Sequence, residues 1–211
     1  MSTWISRPFG ALALLGLAGC AGVIDVGRSA PQSVSVAGDS VLISGPPGYC
    51  IDQSATRDAE DGAFVLLGSC ASISRDASRP HPDAPGLLTV TVSNGVIDGE
   101  DMSTYLRDLT AFFQTEDGRA ALSRDGVAAS VEVLETRVSD GVLFLHARDA
   151  SGNTLGVADE YWRALFGVRD RLLTVTVVAY SSAPLTPDAG ASTLDAFTNR
   201  ILSDNPSGEA G

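Results

Sequence analysis

The sequence predicts an α+β fold, in which helices cover an antiparallel β-sheet. Short runs of alternating or continuous apolar residues, typical of strands, recur between residues 33 and 92. The apolar period then changes to that of a helix over residues 103–114, and residues 130–180 have the pattern of a four-stranded meander divided by turn residues. A second helical pattern follows at residues 191–202. Strands, a helix, a meander and a closing helix, in that order, are typical of α+β domains.

The first half of the chain supplies the isolated strands. Four are predicted, over residues 33–37, 39–44, 64–69 and 87–92. A Gly-Pro-Pro-Gly sequence at 45–48 ends the second strand, and the three prolines within residues 75–86 predict a loop.

The first helix is predicted from a stripe of large apolar side chains. Tyr105, Leu106, Leu109, Phe112 and Phe113 recur at helical spacing. The predicted N-cap is Ser103, with an acidic residue at position 101 adding negative charge near the helix start. A short second helix is predicted around residues 116–123.

The second half predicts two strand pairs and the closing helix. Residues 130–138 and 142–149 form the first pair around Asp140-Gly141, a strong hairpin signal, and residues 159–168 and 172–180 form the second. Tyr161 and Trp162 are neighbours on one strand and point to opposite faces, so we expect one in the core and the other exposed.

Composition excludes several classes of function. All 14 basic residues are Arg, so no lysine is available for Schiff-base chemistry, a P-loop or a Ser-x-x-Lys pair. The net charge of −12 argues against binding to nucleic acid and against electrostatic attraction to an anionic membrane. Attachment to a bilayer would therefore need a lipid.

The amino terminus has the features of a secretory signal. Arg7 supplies the positive charge, and residues 11–18 form an apolar run too short to span a bilayer. The run ends in Leu17-Ala18-Gly19-Cys20, which resembles the lipobox of bacterial lipoproteins. The resemblance implies that residues 1–19 are removed and that Cys20 is acylated. The next residue is not Asp, so we expect an outer-membrane lipoprotein on the periplasmic face.

The remaining chain divides into a tether, a body and a tail. Residues 20–32 are predicted to form the lipidated tether, 33–203 one α+β periplasmic domain, and 204–211 a flexible tail. With Cys20 lipidated, Cys50 and Cys70 remain as an even pair in an oxidising compartment, and we predict a disulfide between them. A metal or redox pair is the alternative.

The order of the elements resembles that of PsbP-like α/β/α sandwiches over about residues 34–202. This resemblance implies an accessory or assembly role on a larger complex. The sequences Gly48-Tyr49-Cys50-Ile51-Asp52 and Phe64 to Cys70 also resemble those of a family of alphaproteobacterial lipoproteins. The second resemblance implies no activity.

Two short motifs offer alternative functions. Gly38-Asp39-Ser40 is similar to the nucleophile sequence of GDSL-type esterases, in which a histidine base would have to activate Ser40. Neither His81 nor His146 has the Asp-x-x-His context of that family, so a turn is the simpler interpretation.

The second motif has the spacing of a calcium loop. Asp149, Ser151 and Asn153, with Glu160 eleven residues after Asp149, match the ligand positions, but Thr154 stands where the loop requires glycine. A polar hairpin turn is the alternative interpretation.

Three further polar features are assigned structural roles. His81 lies in the proline-rich loop with too few ligands for zinc, and His146 is expected on a strand with a hydrogen-bond partner. Asp98, Glu100 and Asp101 are expected to form a solvated loop before the first helix. The sequence therefore predicts no catalytic residues, no metal site and no cofactor. It predicts a lipid-anchored protein that binds or helps assemble an envelope component through a protein partner.

Overall fold

The structure is a computed structural model that describes residues 30–59, 61–96, 102–152 and 156–206. The predicted signal peptide, Cys20, the acidic residues at 98–101 and most of the predicted tail lie outside the described residues. No helix within the described ranges is long and apolar enough to cross a membrane.

The fold is α+β, as the sequence predicts. The described strands are β1 (Ser33–Val36), β2 (Val41–Ser44), β3 (Tyr49–Ile51), β4 (Arg57–Ala59), β5 (Gly62–Ser69), β6 (Gly86–Val96), β7 (Val131–Ser139), β8 (Val142–Asp149), β9 (Val157–Val168) and β10 (Arg171–Tyr180). The helices are α1 (Cys70–Ser74), α2 (Met102–Phe113), α3 (Glu116–Leu122) and α4 (Pro187–Asp204).

One large antiparallel sheet organises these elements. Its strands lie in the order β3-β5-β6-β10-β9-β8-β7, with β4 also paired to β5, while β1 and β2 form a separate hairpin. Strands β7 to β10 form the predicted meander, and the last of them returns to lie beside β6. The predicted hairpin turn is confirmed, because Asp140 and Gly141 both have positive φ, of 51° and 75°.

Each face of the sheet carries its own hydrophobic core. On the face that we call the α4 face, the β1–β2 hairpin and α4 bury the larger core, to which α4 contributes Leu194, Phe197 and Ile201. On the opposite face, the α2 face, helices α2 and α3 cover β7, β8 and β9 through Leu106, Phe113 and Leu122. The sheet is therefore the middle of three layers.

The two covered faces correct one prediction. Tyr161 and Trp162 do point to opposite faces of β9, but both are buried, with exposed fractions of 4% and 3%. The prediction that one of them is exposed is wrong because α2 and α3 cover the face to which Tyr161 points. The Tyr161 hydroxyl donates a hydrogen bond to the Leu122 carbonyl at 3.1 Å, so the buried polar atom is satisfied.

The helix boundaries differ from the prediction in two places. Ser103 lies within α2, which begins at Met102, so the prediction of Ser103 as the N-cap is wrong. Helix α4 begins at Pro187, four residues before the predicted start. Its N-cap is Thr186, whose side chain accepts a hydrogen bond from the Ala189 N–H at 3.3 Å.

The predicted disulfide between Cys50 and Cys70 is present. Cys50 lies on β3 and Cys70 begins α1, and both sulfur-bearing side chains are fully buried in a small cluster with Ala30 and Ile73. The bond joins the short edge strand β3 to the end of β5. Ala30 packs on the two cysteines.

Candidate functional site

A charged cleft lies on the α4 face, between the first turns of α4 and strands β7, β8 and β9. Its volume is about 140 Å³. The walls and floor are formed by Glu135, Arg137, Phe144, Leu145, His146, Trp162, Pro187, Asp188, Ala191, Leu194 and Asp195. The cleft therefore combines aromatic and aliphatic side chains with charges of both signs.

A β-bulge in β7 determines which side chains reach the cleft. Glu132 pairs with Arg148, but the register shifts between Val133 and Glu135, so that Glu135 pairs with His146. Without the bulge, strict alternation would have directed Glu132 and Glu135 to opposite faces. With the bulge, both carboxylates lie on the α4 face, beside the histidine and arginine of β8.

Four charged or titratable side chains form a connected network on this surface. Glu160 on β9 contacts His146 and Arg148, and Arg148 connects it to Glu132. Its Oε2 lies 3.1 Å from His146 Nε2, and its Oε1 accepts a hydrogen bond from Arg148 Nη2 at 2.6 Å. Arg148 Nη1 also donates to Glu132 Oε2 at 3.0 Å. The hydrogen bond from Arg148 is the largest cause that lowers the pKa of Glu160, with His146 contributing less. Glu160 is therefore a fixed anion that orients both neighbours.

The imidazole of His146 is also held by stacking. It lies on the indole of Trp162, with ring centroids 4.7 Å apart and planes inclined by 13°. Helix α4 packs against the same indole, because a Cβ added at Gly190 would overlap its ring atoms. Trp162 is thus fixed between a helix and a histidine, which makes it a rigid element of the cleft.

A second ion pair forms the opposite rim of the cleft. Arg137 Nη2 donates to Asp195 Oδ1 at 3.3 Å, which connects β7 to α4. The guanidinium carbon of Arg137 lies 4.0 Å from the centre of the Phe144 ring, in cation–π geometry. Both side chains of the ion pair are 46% exposed, so solvent can reach them.

The sequence correctly predicted a strand position with a hydrogen-bond partner for His146, but it predicted neither the cleft nor the charged network beside it. Glu132, Glu135, Arg137, Arg148 and Glu160 lie on three strands, and only pairing brings them together. In β7 the charged residues alternate with apolar ones, and this alternation could have indicated which side chains share a face, but the bulge interrupts it.

The structure does not bring an esterase site together at Ser40. The Ser40 hydroxyl donates to the Ala37 carbonyl at 2.7 Å, within the turn that joins β1 to β2. Neither histidine is placed to activate Ser40, because His146 Nε2 contacts Glu160 Oε2 and His81 Nδ1 lies 3.2 Å from Ser69 Oγ. Ser40 therefore lies in a turn, which is the simpler of the two interpretations of the Gly38-Asp39-Ser40 sequence.

The calcium-loop spacing at Asp149 has a structural explanation. Asp149 Oδ2 accepts the Arg124 N–H at 2.7 Å, and Oδ1 accepts the Ser151 N–H at 3.0 Å. Glu160 would have to complete the site, but it lies on the α4 face, whereas Asp149, one residue after Arg148, points to the α2 face. Asn153 and Thr154 lie outside the described residues.

The Asp149 carboxylate is fully buried. Burial opposes its ionisation, but the hydrogen bonds from Ser151 and Arg124 outweigh burial and lower the pKa of Asp149. Through its hydrogen bond with the Arg124 N–H, the Asp149 side chain connects the segment after α3 to the end of β8. Within the described residues, no group of three or more His, Cys, Asp or Glu could hold a metal ion.

Comparisons with known proteins give one structural likeness. No protein-family model and no curated protein matches the chain. The solution structure of cyanobacterial PsbP (CyanoP) from Synechocystis sp. PCC 6803 is similar, with 19% sequence identity and a TM-score of 0.41. The match covers 89% of this chain and 97% of that one. The likeness concerns the broad arrangement of sheet and helices, and nothing about function follows from it.

Proposed function

We propose that this protein is a lipid-anchored, non-catalytic binding protein of the bacterial envelope, which recognises a protein partner through the cleft beside α4. The observation that carries the proposal is the composition of the cleft. An aromatic floor has the exposed Arg137–Asp195 ion pair on its rim and the exposed Arg148–Glu132 pair on the same face of the sheet. This composition is typical of protein recognition sites, in which aromatic and arginine side chains supply most of the binding free energy.

The rigidity of the floor supports the same proposal. Trp162 is 3% exposed and is held between Gly190 and His146, and the network around Glu160 fixes His146. Side chains that are already ordered lose little conformational entropy when a partner binds. Solvent reaches the rim at Arg137 and Asp195, so a partner can contact it without rearrangement of the core.

The position of the cleft is compatible with a lipid at Cys20. The described chain begins at Ala30 beside β3, and five strand spacings of about 4.8 Å, or about 24 Å, separate β3 from β8. The ten residues from Cys20 to Ala30 span at most about 35 Å when extended. A lipid at Cys20 would thus be attached next to the β3 edge of the sheet, and the tether is long enough to leave the cleft at the other edge accessible.

Site-specific photocrosslinking in cells tests the binding proposal. A photoreactive amino acid is placed at Asp188, on the exposed rim of the cleft, and in a matched control at Ser203, which is exposed near the end of the same helix. We expect a discrete adduct, identified by mass spectrometry as an envelope component, from position 188 and none from position 203. Equal adducts from both positions, or none from either, would contradict the proposal.

Intact mass of the membrane-extracted protein tests the anchor separately. We expect a chain that begins at residue 20 with the added mass of acyl groups, and a Cys20→Ser variant that is neither acylated nor membrane-bound. A mature chain that begins elsewhere, or that lacks acyl groups, would refute the anchor while leaving the proposal for the cleft intact.

A further inference from the structure

Part of the α2 face has no helix over it among the described residues. Helices α2 and α3 cover β7, β8 and β9, but β10, β6 and β5 extend beyond them. On these three strands, every second side chain belongs to the α4-face core, and the side chains between them point to the α2 face. We call the uncovered patch that they form the threonine face. It consists of Phe64, Leu66, Thr89, Thr91, Thr174 and Thr176. Phe64 is 38% exposed.

The four threonines form a compact block. Thr174 pairs with Thr91 and Thr176 pairs with Thr89 across β10 and β6. Directly paired side chains on one face of an antiparallel sheet lie about 5 Å apart, so the four hydroxyl groups are neighbours. Phe64 and Leu66 pair with the threonines of β6 on the side away from β10. Hydroxyl groups therefore lie next to an apolar strip.

Arg163 lies at the border between this face and the covered half. It pairs with Thr176 across β9 and β10, and its Nε donates to Thr176 Oγ1 at 3.2 Å. Its guanidinium also lies 5.0 Å from the centre of the Tyr161 ring. No carboxylate within the described ranges forms an ion pair with Arg163, and neither Nη1 nor Nη2 has a protein acceptor there.

Arg163 lacks the carboxylate partner that four other described arginines have, and it is less exposed than Arg57, Arg75, Arg79 and Arg169. Arg124, Arg137, Arg148 and Arg200 each lie within 4 Å of a carboxylate. Arg163 is half-buried without such a partner, and burial lowers the pKa of its guanidinium. A charge partly removed from water without a counter-ion is unfavourable, and the ring of Tyr161 compensates it only in part, so an anion bound at this surface would stabilise Arg163.

We propose that Arg163 and the threonine face form a binding site for an oxyanion, a carboxylate or a phosphate, carried by a ligand with an apolar portion. The guanidinium would accept the oxyanion through the paired donors of Nη1 and Nη2, a geometry that suits both groups. Hydroxyl groups of Thr174 and Thr176 would donate further hydrogen bonds, and the apolar portion would lie on Leu66 and Phe64. This site lies on the opposite face of the sheet from the cleft and does not depend on it.

The test is an NMR titration of the full-length chain with octanoate, octyl phosphate and octanol. We expect saturable shifts of the Arg163 Nε–Hε signal and of the threonine-face amides with one or both of the anionic probes. Binding of octanoate alone or octyl phosphate alone identifies the preferred oxyanion. Octanol, which has the same chain without the charge, is expected to bind at least about ten-fold more weakly because it lacks the charge-assisted hydrogen bonds.

Matched variants locate the site. Arg163→Met keeps side-chain length and removes the charge, and we expect it to weaken binding of the anionic probe about ten-fold or more. Arg200→Met makes the same change in net charge on α4, on the other side of the sheet, and is expected to leave binding unchanged. Thr176→Val, which preserves shape and removes one hydroxyl, is expected to weaken binding by a smaller factor and serves if Arg163→Met does not fold.

Three results would overturn the proposal. The first is the absence of saturable shifts with either anionic probe. The second is shifts that map to the α4 face. The third is an affinity for the anionic probe that neither Arg163→Met nor Thr176→Val changes.

Discussion

Substitution of Gly190 by alanine tests the contact that builds the cleft. In the middle of an exposed helix this change would stabilise the protein by about 1 kcal/mol, because alanine is the better helix former. At Gly190 the sign is expected to reverse. The added Cβ would overlap the indole of Trp162, which is 3% exposed and stacked on its other side against His146.

The magnitude follows from how the overlap can be relieved. Carbon atoms pack at about 3.5–4.0 Å, so either the indole or α4 must move by about 1 Å or more. Movement of the indole breaks the stack on His146, and movement of α4 weakens the packing of Leu194 and Phe197. Overpacking of this kind costs about 1–3 kcal/mol. After the gain in helix propensity, we expect a net loss of up to about 2 kcal/mol in the free energy of unfolding.

Urea unfolding followed by far-UV circular dichroism measures this loss, with near-UV dichroism reporting on Trp162. Ser192→Ala is the matched control, because Ser192 is exposed on the same helix and should gain a few tenths of a kcal/mol. The reasoning is refuted if Gly190→Ala is as stable as the control or more stable, because α4 would then not be in tight contact with the indole.

Three further predictions concern stability and ionisation. Removal of the disulfide by Cys50→Ala with Cys70→Ala is expected to cost about 3 kcal/mol from the closed loop of 20 residues, measured by urea unfolding; an unchanged midpoint would contradict it. Asp149→Asn is expected to cost about 1–3 kcal/mol at neutral pH. Because the pKa of Asp149 is lowered in the folded state, the stabilisation that its carboxylate provides should be present above about pH 4 and lost as the pH falls through the folded pKa. A difference in stability between the wild type and the variant that does not depend on pH would contradict this prediction. Arg148→Gln should raise the pKa of Glu160 toward its ordinary value in a carbon-detected NMR titration, with little loss of stability because solvent screens the pair; an unshifted pKa of Glu160 would show that Arg148 does not lower it.

Local patterns were sufficient for much of the fold. The meander follows from alternation and from the Asp140-Gly141 turn, and α2 follows from its apolar stripe. The disulfide follows from an even count of cysteines after Cys20 is set aside. In each case the prediction needs only the residues within one element and its turn, or the number of cysteines in the chain.

Features that depend on distant contacts were not predicted. Strand β3 has only three residues, all buried, and exists because it pairs with the end of β5. The layer over Tyr161 belongs to α2 and α3, which precede β9 in the chain by more than thirty residues. A single extra residue in β7 decides that Glu135 lies beside His146, and no period in the sequence shows it. The cleft could therefore not be predicted without strand register.

Crosslinking from position 188 in a charge-reversed background tests the proposed binding role of the cleft most directly. Arg137→Asp removes the cation from the rim, and because the side chain is 46% exposed, the fold should be retained. We predict that this variant loses the adduct formed from the photoreactive residue at Asp188, while the same change at Arg200 retains it. An adduct of undiminished yield in Arg137→Asp would contradict recognition through the cleft.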